Sequence, residues 1–352
     1  MSKHPKRILV LYDLPESVAE HDEPRYLLDH EDRPTERDVT RAIKKLGLDL
    51  YVHGVFDQVK DLWQRLESIK PDVVFNLCET YCGDRAHEGD VASILELTKI
   101  PYTGSHPAAL HLCKDKGATK KIAAWDGVKV PAFRVLTKNE FRFLPFPSRF
   151  PLIVKPLNRE ASEGIAKASI VDSWQACEER ATWIAQKLKS DVIIEEYIHG
   201  REIYIGVIES GGVVTPLPPR ELFFENLDKT EPMVATYRAK WDQAYRDKWG
   251  ISTGRATDLA KASVQSLHDA SVKIFKALGL HGYARIDWRL TAEGEPVFLE
   301  ANPNPALSQD DDFALAAKAA GYSYGELVAE ILGSAMSADR LSQTANKLSA
   351  RG

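Results

Sequence analysis

The sequence predicts a mixed α/β and α+β fold that is divided into three domains and a short tail. A chain of 352 residues is long enough for two or three hydrophobic cores. Over about the first hundred residues, short apolar runs alternate with helical stretches, which is typical of a parallel α/β layer. Beyond residue 105 strands, helices and a hairpin pattern are mixed, as in α+β domains.

Residues 1–105 form the predicted N-terminal α/β domain. We expect strands at 8–12, 50–55 and 72–77, and helices around 38–46, 62–69 and 91–98. A charged segment, residues 16–37, interrupts this alternation and is expected to be a loop that covers a site. Proline and glycine in residues 101–105 mark the first domain boundary.

Residues 106–198 and 199–335 form the predicted central and C-terminal domains. In the central domain we expect helices at 115–125 and 173–188 and strands at 133–136, 152–156 and 192–197. The C-terminal domain is expected to contain a hairpin of 202–208 with 213–217, a long polar loop to about residue 257 and a helix at 259–278. Residues 336–352 are small and polar, which predicts a frayed tail.

Composition and charge exclude several classes of protein. With 44% hydrophobic and 28% charged residues, the chain is neither disordered nor fibrous. Its formal net charge of -5 argues against a nucleic-acid partner. The start of the chain has no signal-peptide pattern and no stretch reaches the roughly 18 apolar residues of a membrane span, so we expect a cytoplasmic protein. The four cysteines are too scattered for a disulfide framework or a zinc site.

Residues 283–304 read as an antiparallel hairpin that carries charged groups on one face. If a two-residue turn lies at positions 293 and 294, Asp287 stands opposite Glu300 and Arg285 opposite Asn302. Two opposed carboxylates repel each other unless a cation lies between them, and oxygen ligands favour a hard ion such as Mg²⁺, which implies a nucleotide. The alternative is a solvated hairpin face with charges at random. The other face of the hairpin is predicted to be apolar and buried: Ile286, Trp288, Leu290, Val297, Leu299 and Ala301.

This hairpin resembles the metal-binding end of ATP-grasp ligases, and the whole chain is similar to their D-alanine–D-alanine ligase branch. The resemblance covers roughly residues 70–335. It implies an ATP-grasp fold with an N-terminal parallel α/β domain followed by central and C-terminal α+β domains. It also implies that Asp287, Glu300 and Asn302 hold two Mg²⁺ ions, with Mn²⁺ as an alternative, and that Arg285 steadies the transferring phosphate.

Further motifs resemble the nucleotide site of that family. Two lysines match positions that contact the ATP phosphates, a serine lies in the glycine-containing loop that closes over the phosphates, and an acidic strand end matches the hinge that holds adenine and ribose. These residues are Lys116, Lys155, Ser162, Glu195, Glu196, Ile198 and Glu202. Isolated lysines and acidic strand ends are otherwise ordinary surface features. The chain has neither a P-loop nor a Gly-x-Gly-x-x-Gly motif, which argues against other common nucleotide folds.

The substrate side departs from the family pattern. The family's first glycine-rich loop, which carries an acidic residue, has no counterpart here. Glu16 or Glu36 could take the place of that acidic residue, and the alternative for each is a solvated surface position. A tryptophan replaces the usual lid tyrosine, and an alanine replaces the glycine that follows the metal-binding asparagine. The candidate substrate residues are Glu79, Glu88, Tyr237, Trp241, Ala306 and Ser308, with Lys240 in the lid.

The resemblance implies a ligase that phosphorylates a carboxylate with ATP and lets an amine attack the acyl phosphate. Arg285, Lys155 and Lys240 are the expected catalytic residues. The substrates would be small-molecule carboxylates and amines, with D-alanine or another amino acid as the open alternatives. The family also implies a homodimer. Two other hypotheses are an ATP-binding sensor or partner-dependent subunit without ligase activity, and a purely structural α/β protein.

Overall fold

The computed structural model describes residues 6–15, 33–137, 149–160, 162–226 and 233–349, and the side chains of Trp241 and of residues 337–349 lie outside this description. Within it, strands form three sheets that follow one another along the chain. The mixed α/β and α+β architecture predicted from the sequence is confirmed. None of the described helices is long and apolar enough to cross a membrane.

The N-terminal layer is a parallel sheet of order β2-β1-β3 with helices packed on it. Its central strand, with the sequence RILVLYD, is buried along its middle five residues, as expected for a parallel strand that is covered on both faces. The elements are β1 (Arg7–Asp13), α1 (Pro34–Lys45), β2 (Asp49–Val55), α2 (Val59–Ile69), β3 (Val73–Asn76) and α3 (Glu88–Thr98).

The central layer is an antiparallel sheet of order β4-β7-β5-β6. Side-chain caps start two of its helices: Asp115 accepts from the backbone N–H of Ala118, and Ser173 from that of Ala176. The elements are α4 (Pro107–Lys114), α5 (Lys116–Trp125), β4 (Phe133–Leu136), β5 (Leu152–Pro156), β6 (Ile170–Val171), α6 (Trp174–Lys187) and β7 (Val192–Glu196). Helix α4 is an addition to the prediction, and it packs with α5 against the C-terminal sheet.

The C-terminal layer is an antiparallel sheet of order β11-β10-β8-β12-β13, with β9 paired to β8. The predicted polar loop to residue 257 is wrong, because this segment contains two strands and two short helices. The predicted frayed tail is also wrong, because residues 336–349 continue the last helix. The elements are β8 (Arg201–Ser210), β9 (Val213–Pro216), β10 (Arg220–Phe224), α7 (Tyr237–Trp241), α8 (Gln243–Trp249), β11 (Ile251–Arg255), α9 (Lys261–Ala277), β12 (Tyr283–Leu290), β13 (Pro296–Pro303), α10 (Asp312–Ala319) and α11 (Tyr324–Ser349).

Candidate active site

Strands β12 and β13 place the predicted metal residues opposite each other. Asp287 pairs with Glu300 and Arg285 with Asn302, as the alternation predicted. The predicted two-residue turn is wrong, however, because residues 291–295 form the connection and the register shifts at a bulge after Asp287. Trp288 therefore pairs with Phe298, and Leu299 is the extra residue of the bulge. Leu299 lines the nucleotide cavity, whereas Phe298 takes its expected place in the core.

Asp287 lies buried in a network of hydrogen bonds with its neighbours on the same sheet face. Arg285 Nε donates to Asp287 Oδ1 at 2.8 Å, and Arg285 Nη2 donates to Oδ2 at 2.9 Å. The amide nitrogen of Asn302 donates to Asp287 Oδ2 at 3.0 Å. Burial raises the pKa of Asp287 to about 6, although the charge of Arg285 opposes this shift. The Asp287 carboxylate is thus prepared to accept a cation in place of a proton.

The pKa of Glu300 is shifted in the opposite direction from that of Asp287. Burial would raise its pKa, but the positive charges of Lys116, Lys240 and neighbouring lysines lower the pKa of Glu300 to about 2. Lys116 Nζ lies 3.7 Å from Glu300 Oε2 and donates to the carbonyl oxygen of Arg159 at 2.5 Å. Glu300 is therefore ionised at neutral pH, next to a lysine that the sequence assigned to the phosphates.

The donors around Asp287 fit a hard divalent cation. The ligand atoms are all oxygens if the side-chain amide of Asn302 rotates by 180°, so that its oxygen faces the cation in place of its nitrogen. Among the described residues no three His, Cys, Asp or Glu side chains cluster as a complete metal cage. Two carboxylates and one amide leave coordination positions for phosphate and water, which is how proteins usually hold Mg²⁺.

A cavity between the central and C-terminal sheets collects most of the residues predicted to bind the nucleotide. Lys240 from α7 also lines it, together with Asp287, Glu300 and Leu299. The predicted lining residues are Lys155, Ser162, Glu195, Glu196, Ile198 and Glu202. Arg289 was not predicted, yet it lines the same cavity and donates to Glu202 Oε2 at 2.9 Å. Its signal was the alternation of β12, in which Arg285, Asp287 and Arg289 share a face.

Glu195, which lines the nucleotide cavity, interacts with two lysines. Lys155 Nζ donates to Glu195 Oε2 at 2.6 Å, and Lys120 Nζ lies 3.0 Å from Glu195 Oε1. Lys120 was missed by the sequence analysis and is 0% exposed. Burial lowers the pKa of Lys120 to about 8, although Glu195 opposes this shift. The available signal was its position one helical turn after Lys116.

A second cavity of about 320 Å³ adjoins the metal residues and is the candidate substrate site. Among the predicted residues, Glu79, Glu88 and Ala306 line it, as do Lys240, Arg285 and Asn302. Residues that the sequence analysis missed also line it: Arg85, Glu160, Arg246, Thr253, Asp311 and Asp312. Two of these, Arg246 on α8 and Thr253 on β11, lie in the segment that was predicted to be loop, which explains why they were missed.

Two predicted substrate residues fall outside the lining of this cavity. Tyr237 is 50% exposed at the start of α7, where its backbone N–H donates to Ile165 O at 3.1 Å. Ser308 is buried, and its backbone N–H donates to Asp311 Oδ2 at 2.9 Å. The side chain of Trp241 lies outside the described part of the chain, as does Glu16. Glu36 pairs with Arg33 at 3.0 Å.

Acidic and basic side chains pair along the N-terminal wall of the substrate cavity. Arg85 Nη1 lies 2.7 Å from Glu79 Oε2. Lys114 Nζ donates to Glu88 Oε2 at 2.8 Å and lies 3.1 Å from Glu160 Oε1. Burial raises the pKa of Glu88 to about 8, although Lys114 opposes this shift. Three carboxyl groups thus face two cations along this wall, and because Glu88 is largely protonated at neutral pH, the charges nearly balance.

Comparisons with known proteins point to one group of enzymes. Residues 122–333 match the family described as "D-ala D-ala ligase C-terminus". A D-alanine–D-alanine ligase of Bordetella petrii is 31% identical over an alignment of 314 residues, which covers 86% of this chain and 89% of that protein.

Solved structures have the same fold. The D-alanine–D-alanine ligase of Bacillus anthracis complexed with ATP matches 96% of this chain and 99% of its own, with a TM-score of 0.70 and 22% identity. The VanG D-Ala:D-Ser ligase of Enterococcus faecalis matches 94% of this chain and 100% of its own, with a TM-score of 0.68 and 19% identity.

Proposed function

Because the chain belongs to the D-alanine–D-alanine ligase family of ATP-grasp enzymes, we propose that it joins the carboxylate of one amino acid to the amine of another. As a member of this family it is an ATP-dependent ligase that forms a carbon–nitrogen bond. D-alanine is the first substrate to consider, since the relative from Bordetella petrii is named for it. The name of the VanG enzyme includes D-Ser as well as D-Ala. An amino acid with a different side chain should therefore also be tested as the second substrate.

One observation supports this proposal above the others: the metal residues form the wall between the two cavities. Asp287 and Glu300 line the nucleotide cavity, whereas Arg285 and Asn302 line the substrate cavity. Lys240 lines both. A γ-phosphate on one side of this wall therefore meets a substrate carboxylate on the other, which is the placement that phosphoryl transfer requires.

The residues of this wall have separate tasks in the proposed reaction. The substrate carboxylate attacks the γ-phosphate of ATP, ADP leaves, and the amine then attacks the acyl phosphate and expels phosphate. Arg285 stabilises the negative charge of the transferring phosphoryl group, and Lys155 and Lys240 contribute positive charge on the nucleotide side. Asp287, Glu300 and Asn302 would hold the divalent cation, which neutralises and orients the triphosphate when bound. The backbone N–H of Ala306 is proposed to contact the reacting acyl oxygen.

Several finer points belong to the same proposal. Family membership implies ATP and a divalent metal, and we propose two Mg²⁺ ions with Mn²⁺ as a substitute. A homodimer and a cytoplasmic location are proposed on the family resemblance and on the sequence. The sensor hypothesis has no observation of its own in its favour, since a cavity suited to small substrates adjoins the nucleotide residues.

The test is Mg²⁺-dependent ADP release by the purified protein, scanned over single D- and L-amino acids and then over pairs, with mass detection of the product. We expect ADP and an amide-linked product with at least one pair, and neither from Glu300→Ala, while circular dichroism shows that this variant is folded. Tight ATP binding without turnover across the whole panel would favour the sensor, and full turnover by Glu300→Ala would contradict the metal assignment.

A further inference from the structure

Helix α5 places two lysines against the strand that carries the predicted metal ligand Glu300. Lys116 and Lys120 are one helical turn apart, so they lie on the same side of the helix. Lys116 Nζ lies 3.7 Å from Glu300 Oε2. Lys120 Nζ donates instead to the backbone carbonyl oxygen of Leu299, the residue directly before Glu300. The helix therefore holds β13 at two successive residues, once at a side chain and once at the backbone.

The carbonyl group that Lys120 binds belongs to the bulge of β13. The strands pair at Phe298 and at Glu300, and Leu299 between them is left without a partner on β12. Strand β13 also forms the edge of its sheet, and no other described strand pairs with its outer side. Backbone carbonyl groups away from water are nearly always paired with a donor. Lys120 supplies the donor for Leu299.

The same ammonium group interacts with a carboxylate of the nucleotide cavity. Lys120 Nζ lies 3.0 Å from Glu195 Oε1, and Lys155 Nζ donates to Glu195 Oε2 at 2.6 Å. Burial would raise the pKa of Glu195, but the charges of the two lysines hold this pKa below its ordinary value. Lys120 therefore connects an ionised residue of the nucleotide cavity to the backbone beside Glu300.

A contribution to stability alone does not explain a lysine at this position. The side chain of Lys120 is 0% exposed. Withdrawing an ammonium group from water is costly, and an apolar side chain of similar volume often stabilises such a site equally well or better. A lysine differs from an apolar side chain in offering several N–H donors. Lys120 directs them to partners on two strands, with Nζ also 5.7 Å from the ring centre of Phe298.

We propose that Lys120 is a positioning residue for the metal site: it fixes the bulge of β13 and thereby the direction in which the Glu300 carboxylate faces the cation. Lys120 is fully buried and acts through Leu299 and Glu195, both of which line the nucleotide cavity. Mg²⁺ requires nearly ideal octahedral geometry, so a ligand on a loosened bulge binds it less well. This inference rests on the metal site of the proposed function.

The test measures how strongly Mg²⁺ and ADP support each other's binding in wild type and in Lys120→Met. Calorimetry gives the affinity for ADP with and without Mg²⁺, and the ratio of the two affinities is the gain from the metal. We expect Lys120→Met to reduce this gain by about tenfold to a hundredfold, the range for one hydrogen bond from a charged group, or to abolish it if the wild-type gain is smaller. The affinity for ADP without metal should stay within about threefold, because Lys155 remains bound to Glu195.

This ratio separates positioning from a general loss of structure. A partly unfolded variant would bind fewer equivalents of ADP, but its folded molecules would show the wild-type gain. Lys121→Met is the matched control, since Lys121 is the next residue of α5 and is exposed. This control should keep the wild-type gain.

A second substitution at the same position covers the case in which Lys120→Met does not fold. Lys120→Met should fold, because Glu195 keeps Lys155 as its cationic partner, and thermal unfolding verifies this. Lys120→Gln keeps an N–H donor on a slightly shorter side chain but loses the charge. We expect its gain from Mg²⁺ to lie between those of wild type and Lys120→Met.

The outcomes distinguish this inference from the proposed function. A folded Lys120→Met variant with the wild-type gain, or a folded Lys120→Gln variant with that gain where Lys120→Met does not fold, overturns the role of Lys120 and leaves the ligase function intact. A wild type whose affinity for ADP does not depend on Mg²⁺ overturns the metal assignment and, with it, this inference. Neither measurement requires turnover, so the identity of the amino-acid substrates does not affect the result.

Discussion

At the scale of single residues, Gly104 and Asn304 join the N-terminal layer to the loop that follows β13. The side-chain oxygen of Asn304 accepts from the backbone N–H of Ser105 at 2.9 Å. Gly104 has a φ of +93°, and a Cβ added there would lie 2.3 Å from Asn304 Oδ1. Because Asn304 also lines the substrate cavity, this contact links the two layers beside the site.

We expect Gly104→Ala to lower the free energy of unfolding by about 3 kcal/mol, because both the positive φ and the close contact oppose a methyl group. Urea unfolding measures this loss. Gly47→Ala is the control: Gly47 has a φ of +73° but nothing within 4 Å of its added Cβ, so only the backbone penalty of about 1 kcal/mol remains. Equal losses of unfolding free energy in the two variants would show that the close contact with Asn304 adds no further destabilisation.

The different pKa values of Asp287 and Glu300 predict how metal binding depends on pH. Asp287 holds its proton below its pKa of about 6, and a cation must displace that proton. Glu300, with a pKa of about 2, stays ionised throughout. We therefore expect the affinity for Mg²⁺ in the presence of ADP to fall as pH is lowered through 6, by up to about tenfold per pH unit. Calorimetry at pH 7.5, 6.5 and 5.5 measures it, and a constant affinity would contradict the exchange of a proton for the metal.

At the scale of elements, the alternation of β12 and β13 predicted the pairs that matter for chemistry but not the bulge beside them. Period-two alternation placed Asp287 and Glu300 on one face of the hairpin together with Arg285 and Asn302. Phe298 and Leu299 are both apolar, so the pattern has no information about which of them faces the core. A bulge of one residue decides this, and it leaves no mark on the apolar pattern.

The stretch between β9 and α9 was predicted to be loop because its elements are short and partly polar. Helices α7 and α8 have five and seven residues, too few for a helical period to stand out. Their capping signals were nevertheless present: Asp242 accepts from the N–H of Tyr245 at 2.9 Å, and Gly250 ends α8 with a φ of +58°. These two caps are the local signal that marks the helix that carries Arg246.

We expect Asp242→Ala to loosen α8, since it removes the acceptor at the start of that helix. Amide hydrogen exchange of residues 243–249 should accelerate roughly fivefold, the typical consequence of a lost cap. Asp247→Ala is the control on the same helix, because Asp247 interacts with Gln243 at 2.7 Å on the exposed surface and caps nothing. Unchanged exchange in Asp242→Ala would mean that packing on β11 alone holds α8 in place.

At the scale of the whole molecule, the first and last segments of the chain share one hydrophobic core. Val10 and Phe75 of the N-terminal sheet belong to the same buried cluster as Leu327 and Ile331 of α11. The predicted boundaries at 105, 198 and 335 remain predictions, and they could not have revealed this sharing. Local patterns report which residues are apolar, but not which distant segment covers them.

We expect Ile331→Ala to lower the free energy of unfolding by about 3 kcal/mol, since Ile331 is fully buried in that shared cluster. Urea unfolding followed both by far-ultraviolet circular dichroism and by hydrogen exchange in β1 measures the effect at the two ends of the chain. Exchange in β1 should rise together with the global loss. Protection of β1 that survives the substitution would mean that the N-terminal sheet is stable without α11.

The shared core also has a consequence for protein synthesis. Strand β3 ends at Asn76, whereas α11 begins at Tyr324, so the parallel sheet leaves the ribosome long before its covering helix exists. At about 5 to 20 residues per second, this interval lasts roughly ten to fifty seconds. During that time one apolar face of the nascent sheet is covered by α1 but not yet by α11, which makes it a natural substrate for chaperones that bind growing polypeptides.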